Sequence, residues 1–401
     1  MNKMSNQFSL PYEAAKKGEV FGILEAICQE LEPTKTQLEA VTTSYNAVGK
    51  WLAESPNPVL AGSSIYAHGS TALGTTVRPI GQNEFDADLI QHVLNFAASQ
   101  SPAELKRIVG DRLREHTVYA AILVEKKRCW RLDYAGDYHL DISPTITNPA
   151  CENGGELVPD KKLRQFKPTN PRGFKALFER RAELMPKVRL AKTITDGVST
   201  QASVDPFPTY SGSKGVLRRT VQLLKRHRDL HFLHVTDDIA PISIIITTLA
   251  ARSYEFCVDH FTFESELDVL VATIRLMPHF IDRPIVSGQR IYVVENETTK
   301  GENFADRWNS EPQRAAAFYE WHAKALNDFE GLAGLEGMDQ LTKSLNDSLG
   351  PSLVRDVFDK RTEAISAART DKKLFVAPMV GLTTSAMPNA TPVKSNTFFG
   401  D

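Results

Sequence analysis

Ile65 to Ile90 read IYAHGSTALGTTVRPIGQNEFDADLI. A short apolar segment runs into Gly69-Ser70, a loop follows, and Phe85-Asp86-Ala87-Asp88-Leu89-Ile90 alternates as a strand bearing two carboxylates. Alternate side chains of a strand share a face, so Asp86 and Asp88 project together while Phe85, Ala87 and Leu89 point the other way. A third acid, Asp141, lies between Leu140 and Ile142 in YHLDISP, Tyr138 to Pro144. Such acids, brought together, repel by roughly 4 kcal/mol for a pair about 4 Å apart at an effective dielectric near 20. Divalent cations relieve that repulsion. A bare Asp-x-Asp arises by chance about once in a chain this long, and an isolated Asp141 would more often cap a turn. The combination with Gly-Ser carries the specificity.

Joining a nucleotide to a hydroxyl requires in-line attack on the α-phosphorus, which a pair of metal ions can assist by stabilising the entering and leaving oxygens. The expected metal ligands and catalytic groups are Asp86, Asp88 and Asp141. Two Mg²⁺ ions fit best, since Mg²⁺ takes oxygen ligands and is commonly shared between carboxylates and phosphates; Mn²⁺ is an alternative. Gly69 lets the backbone approach the β- and γ-phosphates, Ser70 offers a hydroxyl, and a helix starting there would present free N–H groups. Thr75 offers a further hydroxyl. Without the acids downstream, Gly69-Ser70 would be an ordinary turn.

At these residues the sequence resembles the polymerase-β-type nucleotidyltransferase superfamily and, within it, the bacterial cGAS/DncV-like nucleotidyltransferases related to oligoadenylate synthase. HGSTALGTTVRP, EFDADLI and HLDISP carry the superfamily likeness; TNPRGFKALFERR, VQLLKRHRD and PISIIITTLAA carry the narrower one. The resemblance implies an α+β, two-lobed fold: a mixed sheet with helices, then a helical, oligoadenylate-synthase-like lobe. It matches Lys225 to a lysine gripping the donor triphosphate and Ser243 to a serine assisting it. The residues alone allow a solvent-facing Lys225 and a Ser243 bonded to its own helix. The resemblance also implies a cyclic di- or trinucleotide product such as cyclic GMP-AMP, made from ATP, GTP or both, and an effector activated by it in antiphage defence. Competing expectations are transfer to an RNA end or small molecule, and a non-catalytic nucleotide sensor. Some relatives are conjugated or regulated through the C-terminus, a role for which Asn396 to Asp401, NTFFGD, is a candidate segment.

The chain has 401 residues, 42% of them apolar, enough for two packed lobes. With 47 basic against 49 acidic residues there is no global pull toward nucleic acid or membrane, so any anion site must be local. Cys28, Cys129, Cys151 and Cys257 lack Cys-x-x-Cys spacing, which argues against a disulfide framework or a DNA-sensing zinc ribbon. His227, His231 and His234 read as the end of a helix, not as a metal cluster. With no apolar signal core near the start and no segment apolar enough to span a bilayer, a cytoplasmic protein is expected.

The expected domains are 1–200, the catalytic lobe with N-terminal helices; 201–375, the helical nucleotide-binding lobe; and 376–401, a mobile tail. Apolar spacing predicts two helices between Val20 and Glu54, broken near Pro33. Ser101-Pro102-Ala103-Glu104 reads as a capping box opening a helix to about His116. Val118–Glu125, Arg128–Tyr134 and Tyr138–Ser143 read as strands, the last two joined by a turn at residues 135–137. Residues 148–171 read as loop and Arg172–Leu184 as helix. The basic run Arg180, Arg181, Lys187, Arg189, Lys192 reads as a solvated face or an attractor of polyanions. Ile239–Ala251, Leu267–Met277 and Arg314–Phe329 read as helices of the second lobe.

Overall fold

The computed structural model describes residues 5–81, 84–134, 136–160, 162, 164–188, 214–377, 381–383 and 390–393. Two helices, α1 (Ser5–Glu30) and α2 (Lys35–Ala53), precede strand β1 (Ser64–His68), the five-residue helix α3 (Gly69–Leu73) and strand β2 (Phe85–Val93). Then come α4 (Pro102–Arg114), α5 (Thr117–Ile122), β3 (Leu123–Glu125), β4 (Trp130–Tyr134), β5 (Tyr138–Thr147), β6 (Glu156–Pro159), β7 (Phe166–Thr169) and α6 (Pro171–Ala182). These strands form one mixed sheet of order β1-β2-β5-β4-β3, with β6 and β7 continuing from the end of β5. Only β2 and β5 run parallel within it.

One core lies under the sheet. Val41, Tyr45, Val48 and Leu52 of α2 and Leu105, Val109 and Leu113 of α4 pack with Phe85, Ala87, Leu89, Leu140 and Ile142. Spacings of three and four on the helices and two on the strands place each apolar set on one face. Thr34 and Gln37 cap α2 reciprocally. Ser101, by contrast, makes no side-chain cap bond, and Glu104 pairs with Arg107 instead. The capping box at Ser101 is therefore not formed, although Pro102 does open the helix.

The second core belongs to α7 (Gly215–His231), α8 (Ser243–His260), α9 (Glu266–Leu276), α10 (Asp306–Ser310), α11 (Pro312–Gly331), α12 (Met338–Leu349) and α13 (Pro351–Thr370). Val20, Ile23, Leu24 and Ile27 of α1, and Leu31 just beyond it, are buried in it, so α1 packs with the helical lobe while α2 packs with the sheet. The expected boundary near residue 200 is thus crossed by the first helix. No helix among the described residues is long and apolar enough to cross a membrane.

Several elements differ from expectation. Val118–Ile122 is helical in α5, where His116 stacks on Tyr119 at 4.0 Å between centroids; β-branched and aromatic propensity is overridden by packing. The segment 148–171 contains the β6–β7 hairpin, whose Leu157 and Phe166 pack against the sheet core. The helix expected from Ile239 begins only at Ser243, because Pro241 lacks an N–H and holds its neighbour extended. Within the expected tail, Phe375–Ala377, Gly381–Thr383 and Thr391–Pro392 form a small antiparallel sheet. The candidate segment 396–401 lies outside the described residues, as do Arg189 and Lys192.

Candidate active site

Parallel pairing of β2 with β5 sets Asp88 directly beside Asp141, and Asp86 beside His139. On the other side β1 sets His68 against Asp88, so the chain turns into α3 at Gly69 next to that carboxylate. Gly69 has φ +65°, and a Cβ there would lie 2.1 Å from Asp88 Oδ2. Only glycine satisfies both the backbone and the space. Asp86, Asp88 and Asp141 therefore converge from adjacent strands beside Gly69-Ser70.

The three acids differ electrostatically. The Asp88 carboxyl is pushed up to about 7, first by burial and then by the charges of Asp141 and Asp86. It makes no hydrogen bond or ion pair among the described residues. Asp141 accepts from Arg131 Nε and Nη2, both at 2.7 Å, and Asp86 accepts from Arg131 Nη2 at 2.8 Å. Among the described residues no three His, Cys, Asp or Glu side chains are grouped as a metal site; the guanidinium occupies the oxygens of two of the acids. The donor set nonetheless fits a hard cation: carboxylates from two adjacent strands on one sheet face, one of them unpaired and resisting ionisation beside its neighbours. His68 is held down to about 4 by burial and is neutral at pH 7, so it adds no cation.

Asp86 and Asp88 open onto a cleft of 1970 Å³ lined by both lobes, with Gly69 and Ser70 beside them and Lys225, Arg228 and Ser243 on the other side. Ordinary ligand pockets span about 300–1,000 Å³, so this cleft has room for two nucleotides. Lys225 is buried, its ammonium donating to the Thr75 carbonyl at 3.0 Å and to Thr75 Oγ1 at 3.2 Å. Burial, and then Arg228, push its pKa down to about 7. Thr75 is itself fully buried and lies off the cleft wall, engaged with Lys225. Ser243 opens α8 and accepts from Arg228 Nη1 at 3.0 Å. Asp141, covered by Arg131, is likewise not on the cleft wall.

The first two arginines of the basic run are spent on ion pairs. Arg181 is buried between Glu255 and Glu297, and Arg180 pairs with Glu255. His227 is a satisfied core histidine, accepting from Trp321 Nε1 at 3.0 Å and facing Asp328 at 3.1 Å. Arg131 was not anticipated, although a signal existed. With a turn at 135–137, Tyr134 pairs with Tyr138, and counting outward sets Arg131 opposite Asp141.

A mixed sheet carrying Gly-Ser and three acids, closed by a helical lobe, is the architecture of a polymerase-β-type nucleotidyltransferase. Residues 20–181 match the family model described as Second Messenger Oligonucleotide or Dinucleotide Synthetase domain. A c-di-GMP synthase of Roseivirga ehrenbergii is 28% identical over 382 residues, 94% of this chain and 96% of that protein. The cyclic dinucleotide synthase CdnG of Bradyrhizobium diazoefficiens is 26% identical over 297 residues, 70% of this chain and 68% of that one. The solved structure of the Bradyrhizobium CdnG with GTP superposes with a TM-score of 0.65 at 22% identity, covering 86% of this chain and 98% of that chain. Over that domain in sequence, and in its fold, the chain is similar to the bacterial cGAS/DncV-like nucleotidyltransferases.

Proposed function

We propose that this chain joins two guanosine triphosphates into a cyclic dinucleotide by two successive transfers in one cleft. The observation that carries the reading is the β2–β5 register, which sets Asp141 beside Asp88 on the wall of a cleft large enough for two nucleotides. The relative named a c-di-GMP synthase, matched along nearly the whole chain, supports guanine at both positions.

Asp86, Asp88 and Asp141 would hold Mg²⁺ or Mn²⁺, which supplies charge to the acceptor hydroxyl and the leaving pyrophosphate. Gly69, leaving room beside Asp88, lets the backbone approach the donor phosphates, Ser70 donates to them, and Lys225, brought to the cleft by Thr75, adds charge from the helical lobe. Ser243 positions Arg228 beside the same wall. The product serves as a second messenger in the cytoplasm that activates an effector in antiphage defence.

The test is incubation of the purified chain with labelled GTP alone, ATP alone, or both, with Mg²⁺ or Mn²⁺. A phosphatase-resistant product of mass c-di-GMP from GTP alone, absent from Asp86→Asn, is expected. Cyclic GMP-AMP from the mixed reaction would replace guanine-only use. A requirement for an added RNA or small-molecule acceptor would overturn cyclisation.

A further inference from the structure

Beyond the acids, the same sheet face continues along the cleft floor through Ile90, Ser143 and Thr145. Two turns overhang this far stretch. The β3–β4 turn, closed by Lys126 N–H to the Cys129 carbonyl at 3.1 Å, follows the pairing of Trp130 with Ile142. The β6–β7 tip runs back along β5 from the pairing of Leu157 with Ile146. Asp160 shapes that tip by accepting from the Lys162 and Arg164 N–H groups at 3.2 and 2.8 Å. Continuing both antiparallel registers sets the turns level with residues 143–145, two to four residues past Asp141, on the order of 10 Å along the strand. Gly69-Ser70 lies at the opposite end, beside Asp88.

Lys127, Arg128, Lys162 and Arg164 line the cleft there, and their side chains make no hydrogen bond or ion pair among the described residues. Arg128 Nε is buried and lacks a hydrogen-bond partner. Its electrostatic neighbour is Glu302, which is engaged with Asn296 at 2.8 Å. Lys167 faces Asp306 only at 3.9 Å. A buried guanidinium nitrogen without an acceptor, amid three unpaired cations, calls for a multiply charged anion.

We propose that this cluster holds the 5′-triphosphate of the acceptor nucleotide during the first transfer; the assignment rests on the cyclic dinucleotide reading above. In that transfer the acceptor's ribose hydroxyl attacks the donor α-phosphorus. The new P–O bond forms as the α–β bridge breaks, pyrophosphate departs, and the hydroxyl proton passes to solvent or a carboxylate. The linear product keeps the acceptor's triphosphate at its 5′ end. For the second transfer that triphosphate becomes the donor and must move to Gly69-Ser70 and Lys225. The cluster thus serves the first step and is vacated in the second. With the acceptor hydroxyl near Asp141, its triphosphate extends along the floor to Arg128 and Arg164.

The experiment compares wild type, Arg128→Ala, Arg164→Ala and Lys127→Ala in two assays: linear dimer formation from GTP, and cyclisation of supplied linear 5′-triphosphorylated diguanylate. Arg164 and Lys127 are exposed, so their variants test the cluster even if Arg128→Ala fails to fold. The expected result is a rise of about tenfold in the KM for GTP in the first assay, with cyclisation unchanged within about twofold. Guanosine offered as acceptor should be used equally by wild type and variants. Equal loss in both assays, or no loss in either, overturns the assignment. A wild-type chain that makes no dinucleotide would instead remove the reading on which it rests.

Discussion

Asp88 Oδ2 lies 2.1 Å from where a Cβ of residue 69 would stand, so the Gly69-Ser70 turn and the strand that bears the acids are fitted around one missing side chain. Gly69→Ala must move the carboxylate and hold alanine at φ +65°, a strain of about 1 kcal/mol. The chain should fold with a melting temperature a few degrees lower, while turnover falls about a hundredfold, the cost of displacing a reacting group by about 1 Å. Near-normal turnover, measured from labelled GTP, would contradict the fit.

Asp88 keeps its proton to about pH 7, against an ordinary 3.8. Between those values the folded chain binds more protons than the unfolded one, so stability is lost as pH rises through the window and levels off above it. In a chelating buffer Asp88→Asn should remove this fall and melt higher than wild type above pH 7. Parallel melting curves from pH 4 to 8 would rule out the raised carboxyl.

Lys225 gives the opposite slope. Its value is held down to about 7, against an ordinary 10.5, so the unfolded chain binds the extra proton between these limits and stability rises with pH across them. Lys225→Met should flatten that rise and melt above wild type near pH 6, while nucleotide transfer is lost. Calorimetry at pH 6, 8 and 10 reads the difference.

Arg131 neutralises Asp86 and Asp141 from the neighbouring strand. Removing it in Arg131→Ala leaves those carboxylates repelling each other and should cost about 2 kcal/mol at pH 7. Added Mg²⁺ should raise the variant's melting temperature more than the wild type's. The same increment in both proteins would mean that the cation and the guanidinium do not share these oxygens.

The acids and Gly69-Ser70 were legible because strand alternation is local: Asp86, Asp88 and Asp141 each sit between apolar neighbours that fix their face. Their mutual register was not, since parallel pairing of β2 and β5 spans some fifty residues of chain. The helix Thr117–Ile122 was hidden by residues that favour strands, its conformation set by packing beside Trp51 and His116. The β6–β7 hairpin was hidden by glycine and proline in its flanks. The role of Arg180 and Arg181 depended on Glu255 and Glu297, acids far along the sequence that no local pattern connects to them.

Four residues, 31–34, join a helix buried in one lobe to a helix buried in the other, and the Leu31 carbonyl also accepts from Arg78 N–H at 2.8 Å, in the segment following the Gly69-Ser70 helix. The two lobes are therefore tethered to each other at this point. Any gape wide enough to release a finished ring must be absorbed by that short strap, which makes its stiffness, far from any reacting atom, a governor of how fast the enzyme can let go.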